Sequence, residues 1–245
     1  TTGFTQGTGN SFLTSSKPHT LTGLSANTAY DFYVRSICTV GDTSAWSSSS
    51  SFTTPCAGFA VPYFEGFESG QTHGGTISGC ISQESTSGSS SWTANNTSTT
   101  YNRTPRTGSW NAYLRYGNDD WIFIPVDLVG GTTYTAEVYA SQDGSGTSNA
   151  DVGISYGTAD NIDSMTNTIV ASTGINSTAQ QLRGAFIPAA SGTYYVGING
   201  YMNFSPWYIS IDDISIVQCS TTTSTDNQTA CDSYTWMNGV TYTAA

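Results

Sequence analysis

The segment WYISIDDISIV, residues 207–217, sets two carboxylates side by side in a run that otherwise reads as a buried strand. Ile209 and Ile211 stand two apart, as do Ile214 and Ile216, the period of a strand with one buried face. Between the pairs the spacing is three. The alternation slips at Asp212 and Asp213, the mark a β-bulge leaves in sequence. A second acidic pair, Glu65 and Glu68, stands in YFEGFE. The first and last strands of an antiparallel β-sandwich commonly lie side by side, which would crowd all four carboxylates at one end of a sheet. Like charges that close are unfavourable unless a cation or hydrogen-bond donors neutralise them. Calcium takes about 6–8 oxygen ligands in irregular geometry, and a bulge frees carbonyls for it. The expectation is a structural calcium held by Glu65, Glu68, Asp212 and Asp213. The competing account needs no metal: one Asp faces solvent and the other accepts backbone N–H bonds.

Aromatic side chains supply the other candidate chemistry, the stacking of sugar rings. Trp110, Tyr113 and Tyr116 stand in SWNAYLRYG, and Tyr201, Phe204, Trp207 and Tyr208 in GYMNFSPWY, with Arg115 and Asn203 as nearby polar partners. Most aromatics of a β-sandwich belong to its core. GYMNFSPWY is the stronger stretch, because Asn203 and Pro206 mark it as a loop, and loops at sandwich ends carry function. The ligand candidates are Trp110, Tyr116, Tyr201, Asn203, Phe204 and Trp207.

Catalysis finds little support. A Ser or Cys nucleophile usually needs a His base, and the two histidines, His19 and His73, lie in KPHTLTGL and SGQTHGG with no nucleophile motif beside them. P-loop, HExxH and GxGxxG patterns are absent from the sequence; GISYG, residues 153–157, fits GxSxG in letters but lies inside the strand-like run ADVGISYG with neither histidine beside it. The reading is a non-enzyme.

Composition then fixes what must position these residues. The net charge is −11 and Lys17 is the sole lysine among 6 basic residues, too few for a phosphate-neutralising surface. Nucleic acid and membrane insertion are excluded as expectations, the latter because no run of about 18 apolar residues occurs. Tyr, Trp, Thr, Ser, Gly and Asn dominate, a mixture of strand formers and turn residues that reads as all-β. From Tyr63 to Cys219, short runs such as DDWIFIPVDL, TYTAEVYAS, ADVGISYG and GTYYVGING alternate with turn residues, as in a jelly-roll sandwich. The stretch SQDGSGTSNAD, residues 141–151, reads as a long hairpin loop, and Asp119 and Asp120 as solvated or turn-forming.

Cys38, Cys56, Cys80, Cys219 and Cys231 form no CxxC pair and read as disulfide cysteines of an oxidising compartment. Cys56 and Cys219 flank the first and last strands of the middle domain, so a bridge between them is expected, with Cys38 and Cys80 unassigned.

Three stretches divide the chain. In residues 1–55, LTGLSANTAY places Leu24 six residues before Tyr30, the spacing of a tyrosine corner, followed by the strand AYDFYVRSI, a turn and the closing FTT. Together these resemble the second half of a fibronectin type III domain, which implies missing strands before Thr1 or from another chain. Residues 56–220 are the jelly roll. Residues 221–245 begin as a Ser/Thr-rich linker and end in CDSYTWMNGVTY, whose NG step between aromatic runs signals a hairpin and the start of a third small β module.

VPYFEGFESG, NDDWIFIPVDLVGGTTYTAEVYA and WYISIDDISIVQC, in that order over residues 61–219, are similar to the MAM-like cleaved-adhesin or choice-of-anchor jelly rolls of Bacteroidetes surface proteins, including the adhesin domains attached to gingipain proteases. The resemblance implies a non-catalytic, extracellular, cell-surface module exported by the type IX system, serving adhesion to carbohydrate or a host or cell-surface protein, alongside other modules of the same polypeptide. It also implies calcium, with Glu68 and Asp213 the first pair, because the FE glutamate and the DD motif recur in that family. The sequence departs from the family where TISGCISQ has Cys80 and Ile81 in place of a Trp. The alternative reading is a structural spacer or assembly unit of an extended adhesin or filament with no small ligand.

Overall fold

The computed structural model describes residues 3, 5–39, 41–144, 150–219, 233–235 and 241–243. Its regular structure is all-β apart from one 3-10 turn at Ile162–Ser164. The first strands are β1 (Ala29–Phe32), β2 (Ile37–Thr39), β3 (Asp42–Thr43) and β4 (Ser50–Thr53); β1 pairs with β4 and β2 with β3. The Ser25 N–H donates to the Tyr30 hydroxyl at 2.9 Å, the contact the Leu24–Tyr30 spacing predicts. Phe32, Val34, Ile37 and Phe52 on and beside these strands are exposed.

The middle of the chain is a two-sheet sandwich. Its strands are β5 (Tyr63–Glu65), β6 (Ser82–Ser87), β7 (Thr93–Asn95), β8 (Asn111–Arg115), β9 (Asn118–Leu128), β10 (Tyr134–Gln142), β11 (Asp151–Gly157), β12 (Asn167–Gly174), β13 (Gln180–Phe186), β14 (Gly192–Met202) and β15 (Tyr208–Gln218). One sheet has 6 strands in the order β13-β10-β15-β8-β7, with β5 also on β15; the other has 5, in the order β12-β11-β14-β9-β6. Alternate residues of the long strands face inward, among them Ile122, Ile124 and Val126 of β9, Val196 and Ile198 of β14, and Ile209, Ile211, Ile214 and Ile216 of β15. Each fully buried side chain of this size contributes about 1.5–3 kcal/mol relative to exposure, so this intersheet layer holds the sandwich together. In the C-terminal segment β16 (Ser233–Thr235) pairs antiparallel with β17 (Thr241–Thr243); the NG step between them and Cys231 lie outside the described residues.

The slip in WYISIDDISIV is a bulge. On β10, Glu137 pairs with Ser215 while Tyr139 pairs with Asp212, so β15 carries one extra residue there. Asp213 takes it up with φ 48°, in the left-handed region. On the opposite edge of β15, β8 pairs with Tyr208–Ile211 and β5 with Ile214–Ile216. The two aspartates thus sit at the junction between two edge partners, and the first and last strands lie antiparallel as expected.

Three expectations are corrected. Cys56 pairs with Cys80, and Cys219 is free and exposed, as is Cys38. The reason is a change of sheet: Phe59 bridges to Val126 of β9, and only from Tyr63 does the chain join β15. Cys56 therefore belongs beside β9 and β6, next to Cys80, while Cys219 ends the other sheet, its N–H on the Thr133 carbonyl. The stretch 141–151 does not join a hairpin, since β10 and β11 lie in different sheets. Asp120 is not solvated: it is fully buried, accepting the Trp92 N–H at 2.7 Å and the Trp121 N–H at 3.0 Å.

Candidate functional site

The acidic end is organised by residues 106–110, which lead into β8. Asp212, 3% exposed, accepts the Arg106 N–H at 2.7 Å and the Thr107 N–H at 3.2 Å on Oδ2, and the Asp213 N–H at 2.8 Å on Oδ1. Burial outweighs these donors and pushes its carboxyl up to about 6. Asp213 accepts from the Arg106 guanidinium and the Thr107 hydroxyl, each at 2.5 Å, and the guanidinium carbon lies 3.5 Å from the centre of the Tyr139 ring. Glu68 Oε1 accepts the Ser109 and Trp110 N–H groups, both at 2.9 Å. Glu65 instead folds back on its own turn, taking the Phe67 N–H at 2.5 Å and the Tyr63 hydroxyl at 3.1 Å.

The structure therefore brings Glu68, Asp212 and Asp213 to one segment and leaves Glu65 apart. Among the described residues no three His, Cys, Asp or Glu side chains group closely enough to hold a metal. Glu68 and Asp213 do border a common glycine: a Cβ placed on Gly66 would stand 3.7 Å from Glu68 Cγ and 3.9 Å from Asp213 Oδ1. These two carboxylates are hard oxygen donors of the kind calcium takes. Both oxygens of Asp212 are committed to backbone N–H groups, so Asp212 fits a hydrogen-bonding role better than a metal-ligating one. Sequence reasoning missed Arg106, the cation already at this end, because residues 96–110 carry no periodicity that would place it.

The aromatic candidates divide among four places. Tyr116, Phe204 and Trp207 meet at the loop end of the sandwich, where the Tyr116 ring stands edge-on to Trp207 at 4.9 Å and to Phe204 at 6.1 Å. The Tyr116 N–H donates to the Trp207 carbonyl and the Gly117 N–H to the Met202 carbonyl, both at 2.9 Å, fixing the β8–β9 turn against the 203–207 loop. Phe204 is 80% exposed and Trp207 47%, while Asn203 is exposed beside them. The Arg115 guanidinium donates to the Tyr116 hydroxyl at 3.1 Å. Tyr101, not among the sequence candidates, joins the cluster 6.4 Å from Trp207. Trp110 lies elsewhere, half-buried against the core with its N–H on Glu68. Tyr201 is on the outer face of the five-stranded sheet. Tyr113 and Tyr208 are engaged by the protein's own Arg103, whose guanidinium lies 5.0 and 4.0 Å from their ring centres.

No family model matches the chain, and no curated protein matches it in sequence. Among solved structures it is similar to the K1 cleaved adhesin domain of Lys-gingipain from Porphyromonas gingivalis W83, at 15% identity and TM-score 0.52, over 65% of this chain and 99% of that one. The K2 cleaved adhesin domain of Lys-gingipain matches at 18% identity and TM-score 0.47, over 64% and 98% of the two chains. The CBM22-1 xylan-binding domain of Paenibacillus barcinonensis Xyn10C matches at 11% identity and TM-score 0.43, over 64% and 92%. The first of these likenesses is one of fold: the chain shares the β-sandwich of that domain.

Proposed function

We propose that the sandwich is a non-catalytic binding module of an extracellular, cell-surface adhesin, and that it takes carbohydrate on the aromatic cluster at its loop end. The observation that carries this reading is the grouping of Phe204, Trp207 and Tyr101, all exposed, around the half-buried Tyr116 on adjoining loops. Exposed rings of this kind bury apolar ring faces of a sugar, while Arg115 and Asn203 offer partners for its hydroxyls. The cleaved-adhesin fold supports it, as that solved domain carries adhesin in its name. The fibronectin-like half and the type IX, Bacteroidetes context belong to the same proposal through the sequence resemblance.

Calcium enters as a structural ion at Glu68 and Asp213, where it would compete with Arg106 for Asp213. A melt in calcium and in EGTA tests this, and an unchanged melting temperature would sink it. Glycan-array binding of the full chain, compared with Phe204→Ala and Trp207→Ala, tests the ligand reading. Loss of signal with unchanged melting supports it. An array that stays blank favours the spacer reading, or a protein partner, for which the exposed Phe32, Val34, Ile37 and Phe52 offer an apolar surface.

A further inference from the structure

The outer face of the five-stranded sheet holds a second set of open groups, separate from the loop end. On β9 the core residues Ile122, Ile124 and Val126 alternate with Asp119, Trp121 and Phe123, which point the other way. On β14 Ile198 and Met202 alternate with Asn199 and Tyr201. Register places Glu84, Trp121, Asn199 and Gly153 in one row across the strands, and Ser87, Asp119, Tyr201 and Asp151 in the next. Trp121 and Tyr201 are diagonal neighbours, about 7–8 Å apart at the backbone and within reach of long side chains.

Two features shape this tile. First, Trp121 reaches over Gly197: a Cβ placed there would stand 3.0 Å from its Cε3 and 3.1 Å from its Cζ3, and the half-buried indole runs parallel to the Phe123 ring, 6.0 Å away centre to centre. Second, residues 158–166 form a strap across the lower half of the face. The Met165 sulfur would be 2.6 Å from a Cβ on Gly197, and its methyl 3.1 Å from one on Gly157. At the far edge the Ile162 N–H donates to Glu84 at 2.7 Å. Under the strap Phe123 is 0% exposed although it stands outside the intersheet core. Beyond it Ser87 and Tyr201 are exposed and Trp121, Asn199, Asp119 and Asp151 partly so, on rows about 14 Å wide for four strands at roughly 4.8 Å spacing.

The charge on this face has one sign. None of the five strands β6, β9, β11, β12 and β14 carries a Lys or Arg, whereas Glu84, Asp119 and Asp151 are all on the open rows. Asn199 donates to Asp119 at 2.7 Å, holding a carboxylate and a carboxamide together between the two rings. Carboxylates accept hydroxyl protons well and repel anions.

We propose that these rows are a second carbohydrate site, selective for a neutral, unbranched glycan. The chain runs across the strands in the lane beside the strap. One sugar ring stacks on Trp121 with Tyr201 alongside, and its hydroxyls donate to Asp119 and Asp151. The strap walls off one long side, which excludes branches pointing that way, and the absent bases exclude uronate and sulfate. The inference rests on the glycan-binding reading above but assigns a different surface and a narrower ligand class.

Isothermal titration of the full chain with cellotriose, xylotriose, β-1,4-galactotriose and trigalacturonate tests it. The wild type should bind at least one neutral trisaccharide and not trigalacturonate. Trp121→Ala and Tyr201→Ala should each weaken that binding at least about tenfold, while Phe64→Ala, an exposed ring on β5 of the other sheet, stays within about threefold. Tyr201 is 40% exposed, so its variant keeps the test valid if Trp121→Ala unfolds. Binding unchanged in both single variants but lost in a Phe204→Ala/Trp207→Ala double variant overturns the sheet-face site and leaves the loop-end reading standing. Loss in Trp121→Ala and Tyr201→Ala with Phe64→Ala unaffected supports the sheet face. Failure of the wild type to bind any neutral trisaccharide, or trigalacturonate binding abolished by Trp121→Ala, overturns the sheet-face proposal.

Discussion

Asp212 shows how a single buried carboxylate can be both structural and pH-sensitive. Three backbone N–H groups converge on it, two of them from the segment that enters β8. Replacing it with Asn turns one acceptor oxygen into an NH2 facing N–H donors, so Asp212→Asn should cost about 1–3 kcal/mol, the penalty of leaving a buried donor unpaired. Chemical denaturation at pH 7.5 measures this. Burial raises both Asp212 and Asp120 to about 6 against a usual 3.8. Between those two values the folded state holds more protons than the unfolded one, so stability falls as pH rises through that window. The melting temperature should therefore climb as pH is lowered from 7.5 to 5, and Asp212→Asn should flatten the climb. A profile identical to wild type would remove Asp212 as its source.

Among the elements, the segment 106–110 matters most to the acidic end, because it supplies the donors that Glu68, Asp212 and Asp213 share. Gly108 has φ 59°, and a Cβ there would collide with Glu68 Oε1. Gly108→Ala must both strain the turn and push Glu68 off the Ser109 and Trp110 amides. A loss of about 1–3 kcal/mol is expected by calorimetry; a fall in stability below about 0.5 kcal/mol would show that the segment adapts freely. The bulge behaves differently. Its one extra residue was legible because a period-two strand cannot change parity without one. The segment that satisfies it was not legible, since residues 96–110 are irregular and neither apolar period marks where they dock. The facing of the WIFIP aromatics was not legible for a related reason: in an almost continuous apolar run, sequence cannot tell the outward Trp121 and Phe123 from the inward Ile122 and Ile124.

At the scale of the whole molecule, pattern recovered the two sheets and the pairing of first and last strands, but not where the chain changes sheet. That change falls between Phe59 and Tyr63 and decides the disulfide. Cys56–Cys80 ties the approach to β6 onto the segment preceding β5, closing a loop with a sequence separation of 24. The chain-entropy account gives such a bridge about 3–4 kcal/mol. A Cys56→Ser/Cys80→Ser double variant should lose about that much, and Cys219→Ser should lose nothing measurable; equal losses would put Cys219 back in a bridge. The loop-end cluster and the sheet face both depend on this frame, since β9 and β14 carry one and end at the other. The central claim is that the frame presents rings to carbohydrate. Its most direct test is a glycan array of the full chain, run once in calcium and once in EGTA. The account predicts binding to a defined class of neutral glycans that the Trp207→Ala or Trp121→Ala variant diminishes. An array blank in both conditions, from a chain that melts cooperatively, would contradict it.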